Sequence, residues 1–563
     1  VLILVHALVA VHVVHWAARG TTLSPLEPSE AMEYVKHGLV NAGLVFFGLT
    51  LLSTLILGRW FCGWACHLVA LQDLSLALLK KVGLRPRPLR SRLLAWVPLA
   101  AAVYMFLWPL TYRLWTGLGW PRAHVALTRE DFWGTFPPWP VALATFVVCG
   151  GVVIWFLGAK GFCTYACPYG ALYGALDRLS PGRIRVTDAC EGCAHCTAVC
   201  TSNVLVHQEV REHGMVVDPG CMKCLDCVSV CPKGALYFGL GVPALGRSAR
   251  AAGKHRGGLT WREEGLLALA FALVFLAWRG VYGVVPFLLA LALAAIGAFL
   301  ALQTLRLARR PGVSLGQIVL KRDGHPTVAG RWFVVLVIAV ALSTGHSGMV
   351  QWQTARAREA FGDVEESYAR ALGVPAARAD DPALERARKG ADAARFLQRW
   401  GWLATPGNLA WQARFALVLG REDDFEQLAR RALSEAPSAV GHLDLARFLE
   451  ARGRPQEALD QYRDSLRLAP SPDLYDRVAQ RLWGMGDGPG AVALFAEGVA
   501  RHPENADLLY NLGVAQATLG RYEEAAATFR RVLELDPDRP GGHEILADLE
   551  AVLGAPPTPG PAR

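Results

Sequence analysis

The sequence predicts a multidomain chain: an α-helical membrane domain of roughly seven spans, an inserted small α+β domain that holds two metal clusters, and an all-α solenoid. Three observations predict it. Apolar runs gather before residue 350 of the 563, and the remainder is Ala-rich and charged. Eight cysteines between 190 and 231 repeat one spacing twice. From about residue 405, small residues and prolines recur every 33 to 34 positions. All 13 cysteines lie between positions 62 and 231. Thiols clustered at ligand spacing in a membrane sequence argue for cofactor ligation over disulfides. The formal charge of +9 sits beside apolar runs, where it sets topology, and is no signature of nucleic-acid binding.

Residues 1–17, 38–58, 93–110, 139–158, 264–281, 283–302 and 332–349 are apolar stretches, most of them near the ~20 residues that cross a bilayer as a helix. The first is counted as a span and not as a signal peptide's apolar region, because no small-residue cleavage site stands out and further spans follow. Arg279 and Gly280 mark a tight hairpin between the fifth and sixth. His6, His12 and His15 in the first span and His37 at the second are ionisable groups at membrane depth or its edge, open to a quinol proton. Lys80, Lys81, Arg85, Arg87, Arg90 and Arg92 fill one loop without an acid; Arg306, Arg309, Arg310, Lys321, Arg322 and Arg331 face Asp323 alone in another; residues 247–262 are likewise basic. Glu27, Glu30 and Glu33 follow the first span, and Trp115, Trp120 and Trp133 suit an interfacial belt in the 113–138 loop. Positive charge marks the cytoplasmic side. The cysteine-rich segment is therefore expected in the cytoplasm of a bacterial inner membrane, and an odd span count puts the C-terminal region outside.

Cys190, Cys193, Cys196 and Cys200 form a C-x2-C-x2-C-x3-C run, which Cys221, Cys224, Cys227 and Cys231 repeat 31 positions later. That spacing suits two [4Fe–4S] clusters, with the fourth cysteine of each run reaching to the other cluster. The expected sets are Cys190, Cys193, Cys196 and Cys231, and Cys221, Cys224, Cys227 and Cys200. Pro232 follows the second run as bacterial ferredoxins expect; Thr201 stands at that place in the first. Zinc or a disulfide knot explains neither the x3 spacing nor the duplication. Residues 182–240 then read as a complete two-cluster ferredoxin-like domain, with β-prone pieces at 204–210 and 215–217. Its apolar core is thin, so it is expected to be unfolded without iron.

Two further pairs follow spans. Cys62 and Cys66 lie in "RWFCGWACH" after the second, and Cys163 and Cys167 in "KGFCTYACP" after the fourth. On a helix, i and i+4 sulfurs share one face. The pairs could meet as a four-thiolate site, act as redox dithiols or bind a soft metal such as Cu(I); the plain alternative is inert packing thiols. The C-x3-C-H form at Cys62 to His67 resembles a haem attachment site but falls on the wrong side of the membrane. Cys149, alone in a span, reads as a packing residue.

In the C-terminal region Ala458, Ala491 and Ala525 align, as do Tyr462, Phe495 and Phe529, and Pro437, Pro470, Pro503 and Pro537; Gly420, Gly453, Gly486 and Gly520 mark turns. This is the tetratricopeptide pattern of helix–turn–helix units, spanning 405–554 with a capping helix at 544–553. Residues 351–404 read as a helical linker or degenerate repeats, and the Pro-rich tail from 555 as disordered.

At "FCGWAC…GFCTYACP" followed by the double cluster run, the chain resembles the membrane polyferredoxins of the NapH and NosR type. It is similar also to the iron–sulfur accessory protein of cytochrome oxidase assembly. The resemblance covers about residues 1–240. It implies an inner-membrane electron carrier between the quinol pool or a cytoplasmic donor and an extracytoplasmic enzyme or metal centre. The eight cluster cysteines and the pairs at 62, 66, 163 and 167 carry over; His67 replaces the proline of the fuller C-x3-C-P form. No flavin-binding domain of the nitrous-oxide relatives is seen. The repeats are an addition that supplies a peptide-binding surface. The leading expectation is thus electron transfer through two [4Fe–4S] clusters, with a redox partner and a repeat-docked protein; the chain reads as a carrier or oxidoreductase subunit more than a stand-alone enzyme. Cupric reduction at the C-x3-C pairs, with copper or another metal there, is the alternative, and a membrane-anchored assembly scaffold the second.

Overall fold

The computed structural model describes the whole chain except residues 1, 85, 87, 88, 90, 130–136, 248–258, 377, 378, 404, 405 and 555–563. Arg85, Arg87, Arg90, Trp133, most of the basic 247–262 run and the proline-rich tail lie outside the described residues. The chain divides into two compact units, residues 1–349 and 350–563.

In the first unit Leu94–Trp115, Trp139–Leu157 and Phe287–Arg309, together with Val328–Gly362, which runs on past residue 349, are long and apolar enough to cross a membrane. Ile3–Arg19 and Ala42–Leu57 are apolar but shorter. Trp261–Trp278 carries Glu263 and Glu264 in its first turn, and both acids have specific partners. Glu263 closes a capping box with Thr260 and accepts a hydrogen bond from Arg306 Nε at 3.0 Å. Glu264, fully buried, accepts from the Ser91 hydroxyl at 2.6 Å and from the backbone N–H of Arg92 at 2.9 Å and Leu93 at 3.2 Å. A buried carboxylate is tolerable because it takes up donors at the start of a neighbouring helix. On the same face the Leu89 N–H donates to Leu157 O at 3.0 Å, and the Gly182 N–H to Ile56 O at 3.0 Å. The start or end of five apolar helices is thereby gathered in one place. At the other ends, Thr22–Leu23 pairs with Thr128–Arg129 and Leu39–Val40 with His124–Val125. His12 Nε2 lies 2.9 Å from Leu23 O and His15 Nδ1 3.1 Å from Thr22 Oγ1, so these histidines tie the first helix to its following loop.

The cysteine-rich insert is closed at its base by two antiparallel strands, Arg183–Val186 and Leu236–Gly239, with Ile184 opposite Phe238. Residues 204–210 are not a strand: Val206–His213 is a helix. Val206 and Val210, four apart, are buried together, and buried Glu209 accepts the N–H groups of Val217 and Asp218 at 2.9 and 3.0 Å. The i, i+4 apolar pair and a satisfied carboxylate override the β-branched propensity. Met215 does make a single bridge, to Arg185.

The second unit is a stack of helix pairs: Pro406–Val418 with Glu422–Glu435, Ala439–Ala451 with Pro455–Leu468, Pro472–Gly484 with Gly488–Arg501, Ala506–Thr518 with Tyr522–Leu535, and Gly542–Gly554 last. Gly420, Gly453, Gly486 and Gly520 all take left-handed φ between the helices, as the turn requires. Ala458, Ala491, Ala525, Tyr462, Phe495 and Phe529 are all buried. Before the stack, Glu365–Gly373 and Asp381–Trp400 are helical, and the second packs on Pro406–Val418.

Candidate metal centres

The two cysteine runs of the insert share one backbone course. In each, the residue before the second cysteine and the residue after it are left-handed: Gly192 (φ 73°) and Ala194 (φ 62°) in the first, Lys223 (φ 54°) and Leu225 (φ 67°) in the second. Each left-handed residue after the second cysteine begins a short helix, His195–Val199 or Asp226–Ser229, which carries the third cysteine. Such turns direct successive backbone N–H groups to one side, a cradle suited to an anionic group. Cys200, Cys221, Cys224 and Cys227 line one small cavity with Ile184 and Val206. The fourth cysteine of the first run has therefore crossed to the first three of the second. Burial pushes the free thiols of Cys200, Cys224 and Cys227 up to about 12, so filling the cavity with metal must displace their protons. At Cys231 burial is the largest single influence and raises the thiol, yet the N–H groups of Leu236, Ala235, Lys233 and Gly234 together bring it below the usual thiol range; the Ala235 N–H lies 3.3 Å from its sulfur. Cys190 and Cys193 are exposed. Thiols with this cradle fit [4Fe–4S] clusters, whose charge the inward N–H groups offset.

The membrane-edge pairs are also brought together. Cys62, Cys66, Cys163 and Cys167 belong to one apolar cluster with Phe61 and Tyr173. The expected continuous helix through each pair is not there. Cys62 sits in Trp60–Trp64, the chain then breaks, and Cys66 precedes His67–Lys81 in extended conformation (φ −80°, ψ 119°). Cys163 and Cys167 repeat this with Gly161–Tyr165 and Pro168–Asp177 (φ −77°, ψ 111° at Cys167). The break has one cause in both copies: the second cysteine's N–H turns back to Phe61 O at 3.1 Å or Phe162 O at 3.0 Å, a five-residue closure that ends the helix.

A buried polar hub joins the pairs to the insert. The Asp177 carboxylate, fully buried, pairs with Lys223 Nζ at 2.8 Å and Arg183 at 3.1 Å and accepts the Arg59 N–H at 2.9 Å. Trp64 Nε1 donates to Lys223 O at 2.8 Å, one residue from Cys224. Gly63 is needed where the pair meets the insert, since a Cβ there would stand 2.3 Å from Met222 O. Arg59 and Lys160 occupy the same offset before each pair, a repeat visible in the sequence but not singled out; Asp177 and Gln72 carried no signal. Cys149 is fully buried with its thiol toward Leu288 O, a packing residue.

The architecture is thus that of an iron–sulfur membrane protein joined to helical repeats. A model of a 4Fe-4S binding domain matches residues 41–85 and 139–187, one of a 4Fe-4S dicluster domain matches 182–232, and one of a tetratricopeptide repeat matches 479–540. The ferredoxin-type protein NapH of Haemophilus influenzae is 28% identical over 212 residues, 36% of this chain and 67% of its own. The methylamine utilization ferredoxin-type protein MauN of Methylorubrum extorquens is 27% identical over 215 residues, 35% of this chain and 71% of its own. NapH of Escherichia coli is 27% identical, with 38% of this chain and 74% of its own covered. The chain is similar to the ferredoxin-type membrane proteins NapH and MauN across its 4Fe-4S domains, and it carries C-terminal tetratricopeptide repeats.

Proposed function

We propose that the chain passes electrons through two [4Fe–4S] clusters, held by Cys190, Cys193, Cys196 and Cys231 and by Cys221, Cys224, Cys227 and Cys200, between a quinol or cytoplasmic donor and a redox partner. The observation that carries the reading is the duplicated cysteine backbone with Cys200 crossed into the second run's cavity. When bound, the clusters supply one-electron chemistry. The chain's own residues hold them, exclude water from the Cys227 side, and place Lys223 and the Asp177 hub between them and the membrane edge. The boundaries 1–181, 182–240 and 241–350 separate four spans, the insert and three spans. The gathered helix ends support seven alternating passes, which put the insert in the cytoplasm and residues 351–563 outside. There the repeats dock a partner protein.

The test is anaerobic purification with iron and sulfide counts, then replacement of Cys224 and Cys227 by serine. Loss of about four irons with loss of electron flow to a protein acceptor supports the proposal; full electron flow in the iron-poor variant would sink it.

A further inference from the structure

We propose that the first unit holds one anionic phospholipid, its phosphate gripped by Gln303 and Arg306, in a cavity beside the ends of two spanning helices. The site is independent of the electron-transfer reading and stands on the later spans, away from the cysteines.

The cavity measures about 250 Å³, and Leu89, whose N–H donates to Leu157 O, lines it. Trp155 and Phe156 of Trp139–Leu157 and Phe299 of Phe287–Arg309 form an aromatic wall. Gln303 and Arg306, about one and two turns further along the second helix, add the polar side. The antiparallel pair Val313–Leu315 and Ile318–Arg322 contributes Ser314 and the two-residue loop of Gly316 and Gln317, where Gly316 takes φ +62°. A pocket for a whole drug-sized ligand runs to roughly 300–1,000 Å³. This smaller one suits a headgroup and its first methylenes, with the remaining acyl chain in the bilayer. Aromatic rings at the end of a span sit at headgroup depth.

The polar groups call for an occupant. Gln303 is more than nine-tenths buried, yet its side chain has no hydrogen-bond partner among the described residues. A buried amide in that state costs free energy unless something enters the cavity to accept its protons. Ser314 and Gln317 bring a hydroxyl and a second amide to the exposed rim.

Charge selects the kind of occupant. Arg306 Nε and Arg310 Nη2 share the one carboxylate of Glu263, at 3.0 and 3.4 Å, which leaves a positive charge unmatched. Among the described residues no acid lines the cavity. The partial negative charge at the C-terminal end of this helix is met by Lys321, whose Nζ donates to Leu307 O at 2.8 Å. Leu84, Pro86 and Leu89 also bring in the 80–92 segment, which is basic and carries no acid. Basic pockets between spanning helices are where anionic headgroups bind, and the aromatic wall is a surface that a free phosphate ion would not use.

The test uses the full chain, purified without oxygen in detergent and stripped of lipid, with bound lipid counted by native mass spectrometry. Dimyristoyl phosphatidylglycerol should be retained at one per chain, about fivefold more tightly than dimyristoyl phosphatidylcholine. Gln303→Met, which keeps the volume, should weaken that binding roughly tenfold and leave the iron content unchanged. Arg306→Gln should remove the preference between the two lipids. Equal retention of both lipids by the wild type overturns the proposal without recourse to any variant, and undiminished binding in both variants overturns it too. Inorganic phosphate that competes the lipid off would reassign the cavity to a free anion, and a short-chain quinone that does so would reassign it to a neutral ring. Either result ends the lipid assignment and leaves the two-cluster reading standing.

Discussion

Residues 439–535 bury Ala458, Tyr462, Ala491, Phe495, Ala525 and Phe529 in repeating layers, with a glycine turn closing each helix pair. Residues 182–240 bury Ile184, Val204, Val206, Val210, Val216 and Leu236, and much of what surrounds these few is cysteine sulfur. The repeats are held by hydrocarbon that water excludes unaided. The insert has arranged left-handed turns and inward N–H groups whose value is realised only when a cluster binds. One chain is thus expected to carry two stabilities: one written in side-chain packing, the other conditional on metal.

Chelating the iron should have the largest effect. Amide exchange protection at 183–186 and 236–239 should collapse, while the helices between 406 and 554 keep theirs; protection retained in both regions would end the contrast. Next, Phe529→Ala removes a fully buried ring and should cost about 3 kcal/mol in denaturant unfolding of residues 350–563, with the iron content of the full chain unchanged. Smaller is Arg452→Ala. Arg452 donates through Nη1 to Leu372 O at 3.0 Å and through Nη2 to Ala371 O at 3.1 Å, and pairs with Glu422 at 2.5 Å. Its loss should cost about 2 kcal/mol. The hydrogen bond from Arg452 holds the Glu422 carboxyl below its ordinary range despite opposing burial. A folded value below the unfolded one stabilises fully above about pH 4.3 and fades as pH falls through the folded value. The wild-type repeats should therefore lose stability below that point, and Arg452→Ala should blunt this component. Smallest is Gly453→Ala: at φ +74° an added Cβ is strained by roughly 1 kcal/mol, read as a modest fall in the unfolding midpoint.

The same contrast explains what the sequence disclosed. The repeats were legible nearly residue by residue, because a period of 33 to 34 positions states its packing alanines and turn glycines repeatedly. The two cysteine runs were legible for the same reason. The single long-range contacts were not. Asp177 is one aspartate among many until Arg183, Lys223 and the Arg59 N–H converge on it, and Glu264 looks like an awkward charge in a span until Ser91, Arg92 and Leu93 are seen to donate to it. The pairs at 62/66 and 163/167 were visible as pairs, but their helices were expected to run through, and the sharp break at Cys66 and Cys167 needed the backbone. Val206 and Val210 misled as strand residues because a β-branched i, i+4 pair fits either period.

The claim that these thiols conduct is tested most directly by a potentiometric titration of the oxygen-free full chain, followed by electron paramagnetic resonance. Reducible iron–sulfur signals that vanish in the Cys224→Ser/Cys227→Ser chain are the predicted result. A chain that carries zinc or no metal, and shows no paramagnetic centre at any potential, would contradict it.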